Sequence, residues 1–243
     1  MRDLILFALM ATLPSLATAQ SAGDGFLFGK PSVTFAVTAG YAGANAKSDI
    51  FAFTSRQLTL NRRDFSGPSV DLDLGVALGG RTDLVFSAGY SGMNRKSEFR
   101  DFVDQNNAPI EQATMFQRVP VTVSLRQYLT SRGRSIGNFA WIPAKFVPYI
   151  GVGAGAVWYR FNQSGDFVDF TSNDVFSATL SSSGWAPAAR AFAGAEYSLN
   201  PRLALVAQAK YLWSNGRLAS DFSGFNRIDL SGVSSSIGLA ARF

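Results

Sequence analysis

The feature that most constrains this 243-residue chain is an alternation of apolar with polar or small residues at period two, held for about ten residues at a time and broken by turn residues. Successive side chains of a strand point to opposite faces, so each such segment has one greasy face and one that is not. The clearest sets Val70, Leu72, Leu74, Val76 and Leu78 against Asp71, Asp73, Gly75, Ala77 and Gly79. The pattern recurs about eight times, with Phe35, Phe86, Val121, Val152, Ala191, Leu205 and Leu239 lying on the apolar faces of the other segments.

The start of the chain names a compartment. Arg2 precedes an apolar run from Leu4 to Leu13 that is too short to span a bilayer as a helix. Ala17-Thr18-Ala19 has the small-x-small form of a signal-peptidase site, which predicts a signal peptide over 1–19, cleaved after Ala19, and a mature domain over 20–243. Beyond it no apolar stretch approaches the roughly 20 residues of a membrane helix, although apolar residues make up 47% of the chain. Strands that enter hydrocarbon must close on themselves, because an open edge would leave backbone polar groups without partners. The expectation is an all-β, antiparallel up-and-down transmembrane β-barrel in a bacterial outer membrane. Eight strands are expected, or ten if the apolar residues of the first long loop also enter the membrane.

The chain has no cysteine and no histidine. The first removes disulfides, so stability must come from hydrogen-bonded architecture. Together they remove the usual zinc, copper, haem and iron–sulfur ligands, leaving only a hard-cation oxygen site open. Without histidine there is no Ser-His triad, and no catalytic residue, cofactor or metal is expected. A pI of 9.7 raises nucleic acid as a partner, but the signal and the strand pattern argue against it.

Alternation places Asp71, Asp73, Arg118, Arg126, Arg190, Glu196, Lys210 and Arg242 on the inward face. A barrel of eight strands is about wide enough inside to be filled by side chains, so these charges are expected to form a plug of ion pairs and hydrogen bonds. The alternative is a gated polar path for a small solute. Asp71 and Asp73 could in principle be a catalytic pair, but their spacing is that of any two lumen-facing neighbours on a strand. Tyr41, Tyr90, Trp158, Tyr197, Tyr211 and Trp213 sit near strand ends, as an aromatic girdle at the lipid–water boundaries requires.

Connections alternate in length. Gly79-Gly80-Arg81-Thr82 and Leu199-Asn200-Pro201-Arg202 read as tight periplasmic turns, and 43–66, 93–113, 162–183 and 215–228 as longer outer loops. The stretch from Ser131 to Pro143 is long for a periplasmic turn, and Phe139, Trp141 and Ile142 are expected to rest on the membrane surface. In the first outer loop Ile50, Phe51, Phe53, Leu58 and Leu60 are expected to extend the first hairpin and bury one face on the barrel mouth, or else to line an apolar entrance. Arg56, Arg62, Arg63, Arg95, Lys96 and Arg100 are candidate contacts to anionic lipopolysaccharide.

The Gly-rich Pro148-Tyr149-Ile150-Gly151-Val152-Gly153-Ala154-Gly155, the segment Val121-Thr122-Val123-Ser124-Leu125-Arg126 and the terminal Phe243 give the chain a resemblance to the small outer-membrane β-barrel family that includes OmpA, OmpX and OmpW. The resemblance covers nearly the whole mature chain. It implies that Phe243, preceded by Ala241, Leu239 and Ile237, is an assembly signal read by the barrel assembly machinery during biogenesis. No peptidoglycan-binding domain is expected after Phe243, a departure from OmpA that speaks against a wall-anchoring role. The same fold carries anchors, adhesins, narrow pores and enzymes, so it does not decide activity. Here the expected role is structural or surface-interacting, with a narrow porin-like channel for small, hydrophobic solutes, similar to OmpW, as the alternative.

Overall fold

The computed structural model describes residues 25–104, 107–137, 139–169 and 174–243; the expected signal segment over 1–19 lies outside them. In chain order its elements are β1 (Leu27–Phe28), β2 (Val33–Ala44), α1 (Asp49–Gln57), β3 (Gly67–Ala77), β4 (Thr82–Val103), β5 (Pro109–Tyr128), β6 (Gly133–Ile136), β7 (Ala140–Pro143), β8 (Phe146–Val168), β9 (Val175–Ser198), β10 (Leu203–Gly216), β11 (Ile228–Asp229) and β12 (Gly232–Arg242).

Strands β2, β3, β4, β5, β8, β9, β10 and β12 pair in that order, each antiparallel to the next. The ring closes where β12 pairs with β2, from Gly232 opposite Ala44 to Arg242 opposite Thr34. Closure gives every strand two hydrogen-bonded neighbours, the condition for sheet backbone to sit in hydrocarbon. Two glycines at the seam bring the strands together: a Cβ added at Gly238 would lie 1.9 Å from the Val37 carbonyl oxygen, and one at Gly40 as near to that of Ser235.

Along the ring, burial alternates as the sequence does. Val37, Leu72, Phe86, Val121, Leu205 and Leu239 are exposed on the outside, whereas Thr38, Asp73, Ser87, Thr122, Val206 and Ala240 are buried inside. The outward set forms an apolar belt around a strand length that matches a bilayer, and lipid is the environment that accommodates it.

The ring has the eight strands expected, and three other readings are corrected. First, the apolar residues of the first long loop form α1 instead of a hairpin extension, so the ten-stranded alternative falls. Asp49 in the first turn and Arg56 in the last suit the helix dipole, and Ile50, Phe51 and Thr54 form its buried face. Secondly, 93–113 and 162–183 are largely strand: β4 and β5 run on to Val103 and from Pro109, and β8 and β9 to Val168 and from Val175. Their polar residues mark exposure to water, where the ladders of β4, β5, β8 and β9 still pair their backbones. Thirdly, the long connection after β5, expected on the periplasmic side, is a hairpin of β6 and β7, with β7 also pairing β1. Its Phe139 is exposed, but Trp141 is buried and turned away from any membrane surface, under Arg242.

Candidate functional site in the barrel lumen

The lumen is filled in two layers of different chemistry. At the short-turn end, Arg242 on β12 donates to Glu196 on β9 at 2.8 Å through Nη2 and to Ser198 at 2.9 Å through Nη1. The other Glu196 oxygen faces Arg126 on β5 at 3.6 Å, and Arg126 reaches Asp73 on β3 at 3.7 Å. Ser87 donates to the second Asp73 oxygen and accepts from Arg190 Nη2 at 2.8 Å. Arg132 faces Asp83 at 3.3 Å and donates to Thr34 at 2.8 Å. The Tyr128 hydroxyl stands 3.0 Å from both Glu196 and Asp83 and donates to one at a time, joining the two clusters. Guanidinium planes also lie over rings: Arg126 over Tyr149 and Arg132 over Tyr128, each at 4.6 Å, and Arg190 over Phe192 at 4.8 Å. Nearly all these groups are buried, so each charge depends on its partner to offset desolvation.

At the long-loop end the filling is apolar. Helix α1 lays Phe51 against Phe65, Phe116 and Phe161, with ring centroids 4.6, 5.3 and 5.7 Å apart and edge-to-face geometry. Ile50, Leu58 and Leu60 from the same loop, Tyr159 from β8 and Phe222 from the last loop complete a buried cluster. The inward positions of β5 and β8 change from Arg126 and Gly151 low in the barrel to Phe116 and Phe161 high in it, which seats the helix. Asp229 fixes the loop by accepting the Lys47 backbone N–H at 3.1 Å, while Asn226 donates to Asp49 at 2.9 Å.

All eight lumen residues expected from alternation lie on the inner face. The structure brings Asp73, Arg126, Arg190, Glu196 and Arg242 into one connected network, and pairs Lys210 with Asp71 separately. Arg118 stands apart, donating to the Leu230 carbonyl at 3.0 Å. Asp71 and Asp73 contact different cations and share no site. The expected charged set leaves out Tyr128, which alternation places inward beside Arg126, and sequence reasoning missed Asp83 and Arg132; Asp83 follows from the alternation, whereas Arg132 lies in a connection with no period to read. Among the described residues no group of three or more acidic side chains is placed to hold a metal.

On the outside Tyr41, Tyr90, Tyr197 and Trp213 are exposed, and Trp158 and Tyr211 are half-buried. Trp185, opposite Trp158 across β8 and β9, is a further exposed ring that the expected set omits. Arg56, Arg62, Arg63, Arg95, Lys96 and Arg100 are all exposed at the long-loop end. Phe243 is exposed at the foot of β12, its backbone paired with Val33.

No protein-family model matches the chain, and no curated protein matches it. Among solved structures it is similar to the outer membrane protein OprG from Pseudomonas aeruginosa, at 15% identity over 89% of this chain and 99% of that one, with a TM-score of 0.45. It is also similar to Ail, the attachment invasion locus protein of Yersinia pestis, at 13% identity over 88% and 99% with a TM-score of 0.44. Neisserial surface protein A is a third, at 14% identity over 90% and 98% with a TM-score of 0.43. By its own ring closure and apolar belt, the chain is a small, closed, eight-stranded antiparallel transmembrane β-barrel.

Proposed function

We propose that this chain is a non-enzymatic barrel with a structural or surface-interaction role, its lumen plugged by its own side chains. The observation that carries the reading is the uneven height of the wall. Strands β4, β5, β8 and β9 have 22, 20, 23 and 24 residues, against 12, 11, 14 and 11 for β2, β3, β10 and β12. A membrane strand needs only about 9–11. The four long neighbours therefore rise as a continuous wall well beyond the bilayer, at the end whose long connections face outward in barrels of this kind. Arg95, Lys96 and Arg100 ride on that wall, and Arg56, Arg62 and Arg63 on the loop leaning against it, where lipopolysaccharide phosphates would meet them. The exposed rings mark the lipid boundaries, and Phe243 serves the assembly machinery.

Two seals in series, one ionic and one aromatic, support a closed lumen. Purified barrel in planar bilayers is accordingly expected to give no single-channel steps over a wide range of voltage. Reproducible steps would overturn the plugged reading.

One observation favours a narrow hydrophobic channel as the second reading. An apolar cavity of about 140 Å³ opens beside α1, lined by Ile50, Phe53, Leu58, Phe99, Phe167 and Phe225 among others. Its chemistry suits a small apolar molecule entering from outside. Faster entry of an apolar solute into vesicles carrying the barrel would support this reading over the first.

A further inference from the structure

Between the ionic network and the aromatic seal the lumen holds a small chamber of about 40 Å³. A single water needs roughly 10–15 Å³ of such space, so the chamber holds more than one small particle. Its wall includes Ser69, Asp71, Arg118, Arg190, Lys210 and Ser234, drawn from strands around most of the ring. Three of these are cations and one is a carboxylate.

Among the described residues, Arg118, Arg126, Arg132, Arg190, Arg242 and Lys210 share the lumen with Asp71, Asp73, Asp83, Glu196 and Asp229, which leaves one positive charge unmatched; Asp229 acts on Arg118, and Asp73 and Asp71 on Arg190, from beyond direct pairing. Lys210 contacts one oxygen of Asp71, but neither Arg118 nor Arg190 forms an ion pair among the described residues. Arg118 is only 5% exposed, and its Nη1 meets carbonyl oxygens alone, Leu230 at 3.0 Å and Ser231 at 3.5 Å. Arg190 donates to two neutral hydroxyls, Ser124 and Ser87, each at 2.8 Å. Neutral acceptors satisfy donors without cancelling charge, and a buried charge lacking its counterpart is strongly destabilising. The buried hydroxyl of Ser69 has no hydrogen-bond partner among the described residues, leaving a further donor at the chamber wall. One Asp71 oxygen is also unpartnered there, which disfavours a highly charged ligand while leaving room for a singly charged one.

We propose that the chamber binds a small monovalent anion of the halide class, held by Arg118, Arg190 and Lys210 with the Ser69 hydroxyl. An ion there supplies the one negative charge by which the described lumen falls short and ties β5, β9 and β10 together from inside. The site stands whether the lumen is sealed or conducts, so its failure is distinct from failure of the plugged reading.

The test uses the whole barrel with bromide replacing chloride. Crystals grown in sodium bromide are expected to show an anomalous peak in the chamber, within hydrogen-bonding distance of Arg118 and Lys210. In micelles, chlorine NMR is expected to show line broadening that bromide displaces and that is lost in Arg118→Gln or Lys210→Gln, each first shown to be folded by its heat-dependent gel shift. If neither variant folds, the crystal decides. Waters alone in the chamber would overturn the proposal. So would broadening that persists unchanged in the folded variants, or a crystal peak without displaceable broadening in solution, which is an adventitious ion only.

Discussion

Replacing Glu196 by alanine is expected to destabilise the barrel by about 3–5 kcal/mol, the range for removing one partner of a buried ion pair. Glu196 is 1% exposed, accepts hydrogen bonds from Arg242 and the Tyr128 hydroxyl, and forms an ion pair with Arg126. Its loss leaves Arg242 with Ser198 and the Trp141 ring but no carboxylate, and Arg126 with Asp73 as its one carboxylate beside the Tyr128 hydroxyl and the Tyr149 ring. Water cannot readily rehydrate them in a lumen that side chains already fill. Equilibrium unfolding in urea, followed in micelles by tryptophan fluorescence, measures the effect. Removing Arg242 and Glu196 together, each replaced by leucine, should recover much of the loss, since a buried pair often contributes little over an apolar one. A small loss for Glu196→Ala alone would mean that this end of the lumen is wet.

The second large effect belongs to the other seal. Phe51→Ala is expected to cost about 3–5 kcal/mol, because it removes a fully buried ring that touches three others. The same unfolding measurement reads it, and α1 should lose protection from amide exchange before the ring strands do. Conductance should remain absent, since the ionic network still closes the short-turn end. Channel steps in Phe51→Ala would assign the seal to the aromatic cluster alone.

The ring itself is legible in the sequence because one constraint acts on every strand: lipid on one side, packed lumen on the other. Val70 to Leu78 shows it plainly, and the inward charges follow by counting in twos. Counting in twos also explains what was misread. Phe51 and Phe53, then Leu58 and Leu60, imitate a strand, while the helical spacing of Ile50, Thr54 and Leu58 is carried partly by a threonine. Polar composition over 93–113 and 162–183 reports water, which surrounds a loop and a projecting hairpin alike. Arg132 sits in a connection without a period, and its role depends on Asp83 and Thr34, both far away in sequence. That Arg118 meets carbonyl oxygens and forms no ion pair among the described residues is still less accessible, since it depends on which side chains fail to reach the chamber.

The most direct measurement uses a photoactivated carbene reagent dissolved in the hydrocarbon of proteoliposomes, with labelled residues read by mass spectrometry. Along β10 and β12 the expected result is labelling at Leu203, Leu205, Ala207, Ile237 and Leu239, and none at Ala204, Val206 or Ala240. Equal labelling of Leu205 and Val206, or of neither, would contradict a closed barrel with lipid outside and packed side chains within.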